Sequence, residues 1–182
     1  MKTLTLLRHA KSTWDDPVER DFDRPLNGRG RRAAARIGQW LLDEGPADEA
    51  DLFAHVRASP AIRVRQTIEG VEDGLRRPLR AIFEPRIYLA SATTLLDIVQ
   101  SFDPGAATAL LIGHNPGLED LLLLLTPDAD PLRGEAEIKY PTATLAVLDL
   151  AVDTWRDVGS GTATLRHFIR PRDLDASLGP DD

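Results

Sequence analysis

The hydrophobic positions of this chain fall into short apolar runs that alternate with amphipathic stretches. The first run, "TLTLLR" at residues 3–8, is rich in leucine and β-branched residues and breaks at "RHAKS", which predicts a buried strand. Residues 15–27, "DDPVERDFDRPLN", hold two prolines and many charges and predict a loop. In "GRGRRAAARIGQWLLDEG", Ala33, Ile37, Trp40 and Leu41 recur at helical spacing, with Gly45 and Pro46 as a stop. "DLFAHVRAS" at 51–59 predicts a second strand. Ser59-Pro60 then predicts a helix start, with serine as cap and proline on the first turn.

The alternation continues through the rest of the chain. "LRAIFE" (79–84) predicts a short strand, and "SATTLLDIVQSF" (91–102) a helix capped by Ser91. "AATALLIGHNPG" (106–117) predicts a strongly buried strand that breaks at Gly113, followed by a helix from about Pro116. "ATLAVLDL" (143–150) and "ATLRHFIR" (163–170) predict two closing strands joined through "DTWRDVGSGT". Strands interleaved with helices imply an α/β sandwich, one sheet with helices on both faces. The expected organisation is a single domain over residues 1–174, with a mobile acidic tail over 175–182.

Composition narrows the chemistry. A chain of 182 residues suits one domain. It contains no cysteine, which excludes disulfides, thiolate metal sites and cysteine nucleophiles and fits a reducing cytoplasm. The net charge of −7 argues against nucleic acid or an acidic membrane as partner. An anionic substrate needs a local cluster of arginines. The apolar start is too short for a signal segment, and "LEDLLLLLTP" falls far below the ~20 apolar residues of a membrane span.

Three predicted strand ends carry unusual groups: Arg8-His9, Ser59-Pro60 leading to Arg63, and Gly113-His114-Asn115. In open α/β sheets ligands bind outside the carboxyl ends of the strands, and helix starts attract phosphate. Parallel strands would bring all three ends together. Arginine grips phosphate through a planar fork of donors. A histidine beneath two such forks could attack phosphorus with a ring nitrogen, and a second histidine could steady the transferring oxygens or the first ring. No metal or cofactor is needed for this chemistry. His55 and His167 lie in strand patterns and read as structural. Arg29, Arg32 and Arg36 share one helical face and read as solvated.

"RHAKSTW", "DRPLNGRGRRAA", "SPAIRVRQT", "PRIYLAS" and "GHNPGLEDLL" together resemble the histidine phosphatase superfamily, with its phosphoglycerate mutase-like fold, and most closely the small SixA-like branch named for a phosphohistidine phosphatase. The resemblance covers residues 3 to about 172. It implies a three-layer α/β/α sandwich with a mixed, mostly parallel sheet. It implies that His9 is the nucleophile that becomes phosphorylated, and that Arg8, Arg63 and His114 complete the phosphate pocket. The substrate would be a phosphorylated protein, phosphohistidine among the possibilities, or a small phosphorylated metabolite, with inorganic phosphate as product. The alternatives are a small-molecule phosphomonoesterase or mutase, a catalytically retired phosphate-binding module, and a metal hydrolase using both histidines. Many relatives carry glycine where Ala10 stands, and the general acid of larger relatives has no assigned counterpart. Glu84 is the only carboxylate in that segment and comes too early. A leaving group that needs no strong acid, such as protonated imidazole, fits a site of this kind.

Overall fold

Lys2–Arg8 forms β1 at the middle of the sheet, buried on both faces because its side chains alternate between two cores. Leu4 and Leu6 enter one core and Leu7 the other. The computed structural model describes residues 1–15, 17–45 and 52–179. Its other strands are β2 (His55–Ala58), β3 (Ile82–Phe83), β4 (Thr108–Gly113), β5 (Leu145–Leu150) and β6 (Ala163–Ile169). They form one six-stranded sheet in the order β3-β2-β4-β1-β5-β6. The β3, β2, β4 and β1 strands run parallel, whereas β5 pairs antiparallel with both β1 and β6.

Helices cover both faces. α1 (Gly28–Glu44) and α2 (Ile62–Leu75) pack Ala33, Ile37, Trp40, Val64, Ile68 and Val71 against Leu7, Leu110 and Ile112. On the opposite face, α3 (Ala92–Gln100) and α4 (Gly117–Leu125) set Leu95, Ile98, Leu118 and Leu122 against Leu4, Leu6, Ala109 and Leu111. Each such leucine or isoleucine contributes about 1.5–3 kcal/mol of burial. The shorter α5 (Arg133–Ile138) and α6 (Pro171–Leu174) complete the set. This is the three-layer α/β/α sandwich with a mixed, mostly parallel sheet.

The structure departs from the sequence pattern in places that bear on the site. The second strand spans only His55–Ala58; Asp51 and Pro46 lie outside the described residues. Ser59 does not cap α2, whose cap position is Ala61, two residues on; its hydroxyl meets His114 at 2.8 Å and accepts from the Ala61 amide at 3.4 Å ahead of the helix. Ser91 does cap α3, accepting from the Thr94 amide at 3.3 Å. The sequence pattern predicts neither of the short helices α5 and α6. The segment that begins at residue 175 packs back: a turn at Ala176–Leu178 seats Leu178 in the core under α1, and residues 180–182 lie outside the described residues. Among the described residues no helix is long and apolar enough to cross a membrane.

Candidate active site

Parallel pairing decides where the functional side chains go. Arg8 is in register with Gly113, and Ala58 with Ile112, so β1, β2 and β4 end at one level. The chain leaving β1 stays hydrogen-bonded to β4, the His9 amide donating to the Gly113 carbonyl at 3.1 Å. The chain leaving β2 does the same, Ser59 to Ile112 at 3.0 Å. Two further contacts fix the His9 segment. The Ala10 amide donates to Thr67 Oγ1 at 2.9 Å, tying the segment to α2. Gly30 of α1 lies so close to Lys11 that a Cβ would sit 2.1 Å from its carbonyl oxygen. Only glycine permits that approach.

His9, Arg63 and His114 are all buried where these ends meet. The rings of His9 and His114 are 5.2 Å apart, centre to centre. Arg63, on the first turn of α2, donates from Nη2 to His114 Nδ1 at 3.3 Å. Arg8 lies alongside, its Nη1 held by the Tyr140 carbonyl at 2.7 Å. The structure therefore gathers Arg8, His9, Arg63 and His114, from three separate segments, at the carboxyl edge of the sheet.

Hydrogen-bond partners set the protons. His9 Nδ1 lies 2.8 Å from the Ala10 carbonyl oxygen, which can only accept, so Nδ1 carries the hydrogen and Nε2 keeps its lone pair. Burial holds the His9 pKa well below 6.5, partly offset by that carbonyl and reinforced by His114, Arg63 and Arg8. His114 accepts from Arg63 at Nδ1, so its Nε2–H donates to Ser59 Oγ at 2.8 Å. Burial, then the Arg63 charge, lowers its pKa to about 3. Both rings are neutral near pH 7.

The rim holds groups that sequence reasoning passed over. Asp21, in a single turn (Asp21–Asp23) of the β1–α1 connection, faces Arg63. Its backbone oxygen accepts from Arg63 Nη1 at 2.7 Å and its Oδ2 from Nη2 at 2.9 Å. Tyr88 donates to the same Oδ2 at 2.8 Å and rests edge-on against His114. Arg24 pairs with Asp21 Oδ1 at 3.0 Å and stacks on the exposed Trp14 ring at 3.5 Å. Burial and the nearby Arg63 charge lower the Arg24 pKa. The buried Nε–H groups of Arg63 and Arg24 have no partner among the described residues, and are donors a bound anion could take. Asn115, read from sequence as a cap or a substrate contact, donates to Glu119 at 2.9 Å and to the Tyr140 carbonyl at 3.2 Å. Glu84 is paired with Arg86. In the sequence Asp21 and Arg24 lie in the charge-dense "RDFDRP", which fits an ordinary solvated loop; Arg24 also falls in the "DRPLNGRGRRAA" stretch of the family resemblance, which assigns it no role.

A buried neutral imidazole with a free nitrogen, ringed by guanidinium groups at the carboxyl ends of parallel strands, defines an anion-binding α/β enzyme of the phosphoryl-transfer class. A profile of the histidine phosphatase superfamily (branch 1) matches residues 4–87. A protein of Mycobacterium tuberculosis is 36% identical over 169 residues, which span 91% of this chain and 100% of that relative. A protein from Nakamurella multipartitia, assigned as a phosphohistidine phosphatase SixA, is 31% identical with a TM-score of 0.75, covering 93% of this chain and 96% of that one. The protein histidine phosphatase SixA complexed with tungstate shares the fold at 24% identity and a TM-score of 0.74, covering 95% of this chain and 99% of that one. The chain belongs to the histidine phosphatase superfamily, in its SixA-like branch, and by that membership is a phosphatase.

Proposed function

We propose that the protein hydrolyses phosphorylated substrates through a covalent phosphohistidine on His9, and that phosphohistidine carried by a protein is its favoured substrate class. The observation that carries this reading is the His9 tautomer: the Ala10 carbonyl holds Nδ1–H and leaves Nε2 as the nucleophile. Arg8 and Arg63 grip the phosphoryl oxygens, and the orphaned Nε–H of Arg63 supplies one of the donors. His114, with both nitrogens engaged, braces Arg63. Nε2 attacks phosphorus and the bond to the leaving group breaks with its electron pair going to that group. Water then attacks phosphorus, the P–Nε2 bond breaks, and neutral His9 returns with inorganic phosphate. No metal takes part, and the absence of cysteine fits a cytoplasmic setting.

The test is rapid-quench labelling with a 32P-phosphorylated substrate. Wild-type protein should yield an acid-labile, base-stable phosphoprotein mapping to His9. His9→Ala should give no label and no turnover while its circular dichroism stays native. Full activity in that variant rejects the mechanism. A strong preference for a sugar phosphate or phosphoglycerate over phosphohistidine would move the substrate assignment to a small-molecule phosphomonoesterase or mutase.

A further inference from the structure

The carboxylate of Asp21 is out of place in a phosphate pocket unless it does something an uncharged group cannot. Arg8 is held by a neutral acceptor, the Tyr140 carbonyl. Arg63 already has one in the Asp21 backbone oxygen. The additional Asp21 carboxylate brings negative charge next to the place an anion must occupy, and like charges repel. Yet the fold pins it there from three directions, through Arg63, Arg24 and the Tyr88 hydroxyl. Burial raises its pKa, but the Tyr88 hydrogen bond and the Arg63 and Arg24 charges outweigh that, so it stays ionised.

The direction of attack makes this charge a candidate to meet the departing group. Attack by the buried His9 expels the leaving group on the far side of phosphorus, toward the open rim. Asp21 stands on that rim with its side chain 40% exposed. Its Oδ2 is filled by Arg63 and Tyr88, whereas Oδ1 has Arg24 as partner and room for one more donor.

We propose that Asp21 is a specificity-determining residue that accepts a hydrogen bond from the protonated nitrogen of the leaving group, so that the site favours N-phosphoryl over O-phosphoryl substrates. This rests on the phosphatase reading above and deepens it. In a protonated phosphohistidine, one ring nitrogen carries the phosphoryl group and the other carries a proton. When the P–N bond breaks, its electron pair stays on the first nitrogen and the ring departs as neutral imidazole with the N–H it already had. The proton that a general acid would deliver thus arrives on the substrate, and Asp21 stabilises the form that carries it. The Ala10 carbonyl performs the same service for His9 itself, whose Nδ1–H it holds while Nε2 bears the phosphoryl group.

The test compares kcat/KM for 3-phosphohistidine with kcat/KM for p-nitrophenyl phosphate, whose leaving group departs as a stable anion and needs no carboxylate. Asp21→Asn keeps the shape and the acceptor for Arg63 and removes the charge. The ratio should fall about 10- to 100-fold in Asp21→Asn, the range of a charged hydrogen bond. Asp21→Glu should retain more of it. Inhibition by inorganic phosphate reports that Arg63 is still in place. If both substrates lose activity alike, leaving the ratio unchanged, Asp21 serves only to hold Arg63 and the inference is overturned while the phosphatase reading stands. If wild-type protein cleaves p-nitrophenyl phosphate but not 3-phosphohistidine, the N-phosphoryl substrate assignment fails and takes the inference with it.

Discussion

Ser59 Oγ accepts the Nε2–H of His114 across 2.8 Å, fully buried, and so decides which way the second histidine faces. With Nε2–H anchored there, Nδ1 is left to accept from Arg63. Ser59→Ala removes the acceptor and leaves an N–H buried without a partner, a cost of about 1–3 kcal/mol. The expected result is a lower urea midpoint together with roughly a tenfold fall in kcat/KM, as the ring turns and Arg63 loses its brace. Ser59→Thr, which keeps the hydroxyl, should recover much of the activity. Wild-type stability and turnover in Ser59→Ala would show that the serine neither orients His114 nor supports Arg63.

Thr67 couples the same centre to α2. Its hydroxyl donates to the Arg63 carbonyl at 2.6 Å and accepts from the Ala10 amide at 2.9 Å, so one side chain joins the arginine's backbone to the histidine's neighbour. Thr67→Val is close in volume but strands the Ala10 N–H in a fully buried position. A loss of about 1–3 kcal/mol in unfolding free energy is expected. The fall in kcat should exceed any rise in KM, because the His9 ring, rather than the phosphate grip, loses its support. Chemical denaturation and steady-state kinetics on p-nitrophenyl phosphate measure both.

Much of the fold was legible because the sheet is buried on two faces and the main helices on one. Leu4, Leu6 and Leu7 in β1, and the near-continuous apolar run of β4, leave no other reading. The stripe Ala33, Ile37, Trp40 and Leu41 fixed α1, and Asn27 closes its start by accepting from the Gly30 amide at 2.8 Å. The helix α5 was not legible, since "RGEAEI" offers a single buried residue, Ala136. Strand-end chemistry drew attention to Arg8, His9, Arg63 and His114. Asp21 and Tyr88 stayed hidden because their meeting is a tertiary event: Asp21 lies 42 residues from Arg63 and 67 from Tyr88, inside a connection with no periodicity. Ser59 misled for a local reason. A serine before a proline at a helix start looks like a cap, and only the third dimension brings His114 to its hydroxyl.

The pocket's charge argues against a metal centre at His9 and His114. Arg8, Arg63 and Arg24 surround these rings, and a guanidinium 4 Å from a cation costs about 4 kcal/mol per unit charge at an effective dielectric of 20. Among the described residues no group of three or more His, Asp or Glu side chains is arranged to hold a metal ion. Activity on p-nitrophenyl phosphate should stay within about twofold after dialysis against EDTA, well under the tenfold that 1.4 kcal/mol represents. Loss of activity to the chelator, restored by zinc or magnesium, would replace the anion pocket with a metal site.

The two neutral histidines set the acid response of both activity and stability. His9 must be neutral to attack, and its pKa lies well below 6.5 because it is buried. The rate with p-nitrophenyl phosphate should therefore show no protonation limb near pH 6.5; the nucleophile's limb lies at markedly lower pH. Stability follows from the same shift. Between pH 6.5 and about 3 the unfolded chain binds a proton at His114 that the folded chain refuses. Where the unfolded state binds more protons, stability rises with pH. The contribution is thus complete above pH 6.5 and is lost as pH falls toward 3, at roughly 1.4 kcal/mol per pH unit for each histidine so placed. His9 adds to the loss in the same direction; Asp21, whose carboxyl is held below its ordinary 3.8, adds to it only below about pH 4. Urea midpoints should stay level from pH 7.5 to about 6.5 and then decline steadily down to pH 4.5, and His114→Asn should flatten that decline. A midpoint that holds level across that range would mean that the rings take up protons in the folded protein, and the neutral nucleophile would have to be abandoned.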